Sequence, residues 1–295
     1  MPWWWPQTTY SPGGSEVSFP VTRLTAPRRV GPGVYERSIQ VDGRDRYYLF
    51  NVPPNYRDAY TDAVLYSHGG GGNASLGEHG IDGRRVSNRD GYIGVFLAGS
   101  NPWDEQTNLY WNTGRPMRPY FQRYAADDVK YVLSVVQDLK QFVGIHSVFA
   151  AGISNGAQFC FRMAAEIQFI KAIATFGGRM TVQEVEAFTG KTPRKFPILM
   201  MDGELDTFAP IDGGGSVGPG SPFVDYQLAS LDATLDSWSK YNGTYIPVKS
   251  IVVPKNGHCW PGGQVTKTEI DLGCGRPSMA VDASVELWSF FKGTR

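Results

Sequence analysis

The chain has 295 residues, 41% of them hydrophobic and 13% aromatic, and its 28 lysines and arginines balance 28 aspartates and glutamates to a formal net charge of zero. That length accommodates a large domain with a well-buried core. A neutral balance without a basic run gives no electrostatic footprint for nucleic acid or an anionic membrane, and no apolar stretch approaches the roughly 20 residues that span a bilayer.

Residues 1–33 are rich in Pro, Gly, Ser and Thr without a period and read as an irregular arm ahead of a single domain over 34–295. The opening Met1-Pro2-Trp3-Trp4-Trp5-Pro6 has neither the basic nor the apolar region of a secretory signal. Its three tryptophans either grip a polymer or sugar surface with their flat faces or, as the simpler expectation, pack the arm onto its own domain. Residues 35–41 and 46–52 alternate around Asp42-Gly43, which predicts a hairpin at one edge of a sheet.

From there strand and helix patterns alternate. Strands are expected at 63–67, 92–97, 147–151, 171–176, 197–201 and 248–253. After the strand at 63–67 a loop and a short helix reach about Asn88, and further helices are expected at 123–142 and near 181–188, 224–241 and 279–292. The helix at 123–142 carries Val129, Val132, Leu133, Val136 and Leu139 at core-facing spacings. Asp127 and Asp128 suit the positive end of its dipole and are read as structural. Such alternation specifies the α/β class, with a mainly parallel sheet covered on both faces.

Gly152-Ile153-Ser154-Asn155-Gly156 follows an apolar strand and precedes a helical run. A tight turn there lifts Ser154 out of the sheet, and the flanking glycines avoid a collision with neighbouring backbone. An alcohol is a poor nucleophile at neutral pH and needs a base. Of the four histidines, His258 follows the strand at 248–253 and is the candidate. His68 belongs to a Gly-rich loop, where shaping that loop is its expected task, and His79 and His146 read as surface residues. Asp206, in the loop after the strand at 197–201, is the preferred acid, placed to hold the imidazole tautomer. Asp202 is the rival, with a structural hydrogen bond to the turn as its simpler role, and Asp212 is more distant. Oxyanion stabilisation is expected from the N–H of Asn155 and from the Gly69–Gly72 loop, at Gly69 or Gly70.

Three cysteines leave one unpaired if any bridge forms. Cys259 and Cys274 are either bridged, which would pin the neighbouring His258, or both reduced. Cys160 reads as a small core residue. The segment 212–222, with four glycines before Pro219, is either a mobile rim over the site or a solvated connection.

Over residues 35–293 the chain resembles the polyhydroxybutyrate depolymerase-like esterases, α/β-hydrolases that also include feruloyl and acetylxylan esterases. The likeness rests on His68-Gly69-Gly70, Tyr110-Trp111-Asn112, Asp127-Asp128-Val129, the Ser154 turn, Gly203-Glu204-Leu205-Asp206, Gly257-His258-Cys259-Trp260-Pro261-Gly262-Gly263 and the closing segment 282–291. It implies the α/β-hydrolase fold, a Ser154–His258–Asp206 triad and a monomeric, exported enzyme without metal or cofactor. The implied activity is serine carboxylic-ester hydrolysis through an acyl-enzyme, on polyhydroxyalkanoate-type oligomers or polyesters or related soluble esters. Feruloyl or acetylxylan esters are the alternative, a serine peptidase is a further enzymatic rival, and non-catalytic polysaccharide or polyester binding is the rival of another class. The resemblance also implies that Trp111 and Trp260 lie beside the site and bind substrate, with core packing as the other expectation for Trp111. No appended substrate-binding domain is evident, which shifts weight from crystalline polymer towards soluble esters or oligomers.

Overall fold

The computed structural model describes residues 20–102, 108–184, 195–215, 222–224, 226–265 and 274–294. Trp3, Trp4 and Trp5, the second half of the helix expected near 181–188 and the centre of the 212–222 segment lie outside these residues. Among the described residues the strands are β1 (Thr22–Arg23), β2 (Gly33–Val41), β3 (Arg44–Val52), β4 (Ala63–Ser67), β5 (Ile93–Leu97), β6 (Val148–Ile153), β7 (Ile170–Phe176), β8 (Ile198–Gly203) and β9 (Val248–Val253). They form one sheet in the order β1-β2-β3-β5-β4-β6-β7-β8-β9. From β5 through β9 every neighbouring pair is parallel, while β3 is antiparallel to both β2 and β5.

The β2–β3 hairpin forms as the Asp42-Gly43 signal predicts, with φ of 51° and 77° at the two turn residues. Positive φ at both central positions matches the twist of the strands. The hairpin is not the edge, however. Thr22–Arg23 pairs parallel to β2, Leu24 is buried, and the Val30 N–H bonds the Phe142 carbonyl. A short motif in the last part of the arm is thus tied to the body.

The helices with defined bounds are α1 (Ala74–Ile81), α2 (Gly83–Asp90), α3 (Pro119–Arg123), α4 (Asp128–Leu139), α5 (Asn155–Glu166), α6 (Leu231–Asn242) and α7 (Ala283–Lys292); α3 buries no residue. On one face of the sheet, Val132, Val135, Val136, Leu139, Phe159, Met163 and Trp238 join the inward residues of the strands in a core. On the other, Ile81, Val86, Leu287, Trp288 and Phe291 do the same. Two cores on either side of a mainly parallel sheet make the α/β-hydrolase architecture expected from the sequence.

Several helix starts differ from the hydrophobic pattern because caps set them. The Asp127 side chain accepts from the Lys130 N–H, so the helix expected over 123–142 begins only at Asp128, as α4, and ends at Leu139. Ser230 caps Ala233 and starts α6 seven residues after the expected position. The stretch before it instead bridges to loops at Thr181↔Leu228 and Gly214↔Leu228. In α4, Val129, Val132, Val136 and Leu139 are buried, but Leu133 is exposed and Val135 takes the inward place. Asp128 is fully buried, paired with Arg46 at 2.8 Å, and accepts the Asn112 N–H at 2.7 Å, which gives it a structural task.

Candidate active site

The turn between β6 and α5 places Ser154 at φ 54° and ψ −122°, a conformation that side chains other than glycine rarely adopt. Its geometry explains the flanking glycines. A Cβ on Gly156 would stand 2.3 Å from the Ser67 carbonyl oxygen and 2.4 Å from that of His68, and one on Gly152 would stand 2.5 Å from the Gly156 carbonyl oxygen. Helix and strand can approach this closely only without side chains.

The loop after β4 lies against this turn. A Cβ on Gly69 would be 3.4 Å from the Ser154 Cβ, and one on Gly70 would be 3.6 Å from the Asn155 Cβ. The amides of Gly71 and Gly72 are committed to the carbonyls of Leu109 (2.8 Å) and Gly69 (3.1 Å). Among the described residues no main-chain bond occupies the N–H of Gly69 or Gly70. Asn155 opens α5, where an N–H has no carbonyl partner within the helix. These are the donors the sequence nominates for an oxyanion.

His68 holds that loop from behind. Its Nδ1 bonds the Gly69 carbonyl at 2.7 Å and its Nε2 accepts the Gly99 N–H at 3.0 Å. This pattern assigns the proton to Nδ1 in a neutral ring. Burial pulls the His68 pKa down to about 4, so the ring stays neutral through the working range. His146 is exposed beside Asp62, and His79 lies in the last turn of α1.

At the far side, His258 Nδ1 lies 2.7 Å from Asp206 Oδ2. The other Asp206 oxygen accepts the N–H groups of Phe208 (2.9 Å) and Ala209 (2.8 Å). Burial pushes the Asp206 carboxyl up, but the hydrogen bond and charge of His258, with the two amides, outweigh it and hold the pKa below the usual carboxylate value. The imidazole bonds Asp206 and not the rival Asp202, which is buried and ion-paired with Arg179 rather than bonded to its turn. Asp212 is exposed.

The segment after β7 connects the two halves. A Cβ on Gly177 would lie 3.1 Å from both Asp206 Oδ2 and His258 Nδ1, and one on Gly178 would lie 2.3 Å from the Ser154 carbonyl oxygen. Two successive residues of this segment thus lie against the acid–base pair and against the serine turn. Cys259 and Cys274 are bridged, resolving the open alternative, and Cys160 is free and buried.

The two tryptophans need correction. Trp111 has no exposed surface; its ring stacks on Phe159 at 4.9 Å and its Nε1–H donates to the His68 carbonyl at 2.8 Å. Trp260 is 3% exposed and donates to Ser284 Oγ at 3.0 Å. Both support the loops from behind rather than line an open pocket, because each indole finds its polar partner in the interior. Phe208 lies 5.2 Å from the imidazole between ring centroids and is 40% exposed, and Leu205, next to Asp206 in the same loop, is 62% exposed. Sequence reasoning passed over both, and over Arg179, whose position in an apolar strand-to-loop stretch was the available signal.

No protein-family model matches the chain, and no curated protein matches it. Solved structures do share its architecture. An S-formylglutathione hydrolase from Agrobacterium tumefaciens superposes with a TM-score of 0.60 at 14% identity, over 93% of this chain and 100% of that one. A dienelactone hydrolase from Anabaena variabilis gives 0.55 at 14% identity, over 90% and 99%. A cold-adapted esterase from an Arctic intertidal metagenomic library gives 0.50 at 15% identity, over 82% and 90%. At these identities the likeness establishes the α/β-hydrolase fold.

Proposed function

We propose that the protein is a serine carboxylic-ester hydrolase that works through an acyl-enzyme, with Ser154 as nucleophile, His258 as base and Asp206 as the acid. The observation that carries this reading is the Asp206–His258 hydrogen bond of 2.7 Å beside a serine held at φ 54°. His258 takes the Ser154 proton as Oγ attacks the ester carbonyl. Asp206 keeps the imidazole proton on Nδ1 and stabilises the imidazolium. The developing oxyanion accepts from the N–H of Asn155 and of Gly69 or Gly70; loss of one such donor typically costs about 3 kcal/mol. The imidazolium returns its proton to the leaving alcohol, and water, activated by the same histidine, releases the acid and restores Ser154.

The chemistry uses only these side chains and main-chain amides, so the reading assigns no metal or cofactor. The exposed apolar side chains of Leu205 and Phe208 support an ester with an aliphatic acyl chain, such as a polyhydroxyalkanoate oligomer, over a charged substrate. The burial of Trp111 and Trp260 removes the wall expected for a phenolic acyl group, so the feruloyl alternative has less support. A secreted monomer is part of the reading, and the Cys259–Cys274 bridge supports an oxidising compartment.

The test is hydrolysis of a soluble 3-hydroxybutyrate oligomer beside methyl ferulate, with Ser154→Ala as the blank, together with fluorophosphonate labelling. Labelling that Ser154→Ala abolishes, and faster oligomer cleavage, are expected. Absence of labelling and of any ester turnover refutes the enzymatic reading and leaves a binding role; faster ferulate cleavage refutes the acyl assignment alone.

A further inference from the structure

A guanidinium with no exposed surface is uncommon, because burying it demands full compensation. Arg179 has no exposed surface and is compensated from three directions. Its Nη1 pairs with Asp202 Oδ1 at the end of β8. Both terminal nitrogens lie 3.3 Å from the Ala209 carbonyl oxygen, and Nη2 also donates to the Pro210 carbonyl. Its Nε donates to the Ala229 carbonyl at 3.3 Å.

Ala209 is thereby held on both sides. Its N–H donates to Asp206 Oδ1 at 2.8 Å, while its carbonyl receives Arg179. The same loop that presents the acid oxygen to His258 is thus pinned by one side chain, itself anchored to the sheet through Asp202. The Arg179 backbone follows Gly178, the residue packed against the Ser154 carbonyl, and its own carbonyl accepts Arg115 Nη2 at 3.0 Å. Arg179 therefore spans the distance from the serine turn to the acid loop.

We propose that Arg179, anchored by Asp202, is a positioning residue that clamps the 206–210 loop and so fixes Asp206 against His258. This rests on the triad reading above. A misplacement of about 1 Å at a reacting group can cost a hundredfold in rate. A loop freed from its carbonyl clamp moves the acid without touching the substrate, so the loss falls on kcat and not on KM.

The experiment compares two full-length variants with the wild type on a soluble p-nitrophenyl ester, and records the low-field proton NMR signal of the His258 Nδ1–H. Arg179→Gln removes the charge and most of the fork. The double variant Arg179→Met, Asp202→Leu replaces the buried pair by apolar groups of similar size, which spares the fold from an orphaned carboxylate. In each folded variant kcat falls about 10- to 100-fold at near-constant KM, and the Nδ1–H signal shifts or broadens. If Arg179→Gln does not fold, the double variant carries the test. A folded variant with kcat within about twofold of wild type and an unchanged Nδ1–H signal overturns the proposal. If the wild type neither turns over esters nor labels at Ser154, the functional reading fails instead, and the NMR signal still decides whether the clamp holds Asp206 on His258.

Discussion

Replacing Asp206 by Asn tests the site most sharply, because the surroundings dictate how the amide must sit. One oxygen of Asp206 receives two N–H donors, from Phe208 and Ala209, and only the Asn oxygen can replace it. The Asn nitrogen is then forced towards His258 Nδ1, which lies 2.7 Å from the other Asp206 oxygen. Turning the amide over would set its NH₂ against two N–H donors and forfeit both bonds, at about 1–3 kcal/mol for each buried group left unpaired. The imidazole therefore adopts the tautomer with its proton on Nε2, which cannot accept the Ser154 proton. In a serine protease the equivalent change lowers kcat by about 10⁴, or about 5 kcal/mol of transition-state stabilisation, and the same loss is expected here with KM little changed. Rates on a p-nitrophenyl ester and phosphonate labelling of Ser154 should fall together. An Asp206→Asn variant retaining more than about 1% of wild-type kcat would refute the argument, since its amide would have to leave the imidazole tautomer undisturbed.

Three other expectations follow from the same geometry. His68 is buried and neutral with its pKa pulled down to about 4 from 6.5, so the unfolded chain binds the extra proton first, and stability is full above about 6.5 and is lost as pH falls towards 4. That loss amounts to about 3 kcal/mol, and urea titrations at pH 7.5 and 5 should show a smaller difference for His68→Gln. Gly156→Ala drives a Cβ to 2.3 Å from a backbone oxygen that cannot rotate away; it should cost about 3 kcal/mol or more, and a melting temperature near wild type would contradict the packing at the turn. Trp111→Phe removes the donor to the His68 carbonyl, so kcat should fall with similar factors for every ester tested, whereas KM changes that depend on the acyl group would return Trp111 to the substrate pocket.

The elements that were legible in the sequence are those fixed by local pattern. Strand β9 was read to the residue from Val248–Val253, and the Ser154 turn from its own five residues, because a collision between neighbouring backbones leaves its mark as glycine at that position. Helix starts were less legible where apolar periodicity ran past the cap, as before Ser230 and Asp127. The surroundings of Trp111 could not be read locally at all. Its partners, Phe159 and the His68 carbonyl, are 48 and 43 positions away, and only the fold decides that an indole flanking this glycine-rich loop faces inward. The Arg179–Asp202 pair belongs to the same class, with 23 positions between the partners.

Sheet order explains why the site takes this form. The loops after β4, β6, β7, β8 and β9 lie side by side in that order, carrying the amides of Gly69 and Gly70, then Ser154, then Gly177-Gly178-Arg179, then Asp206, then His258. Neighbouring strands are about 4.8 Å apart, so the serine strand and the acid strand are about 10 Å apart with β7 between them. A triad across that gap requires the acid and base loops to fold back over the end of β7. The chain there has no side chain at Gly177 or Gly178, where a Cβ would meet His258, Asp206 and the Ser154 carbonyl. The next residue, Arg179, pairs with Asp202 and donates to the Ala209 and Pro210 carbonyls of the acid loop. The segment after the middle strand thus contributes an absence of bulk where the serine turn and the acid–base pair approach it, and next to that a buried charge bonded to the acid loop.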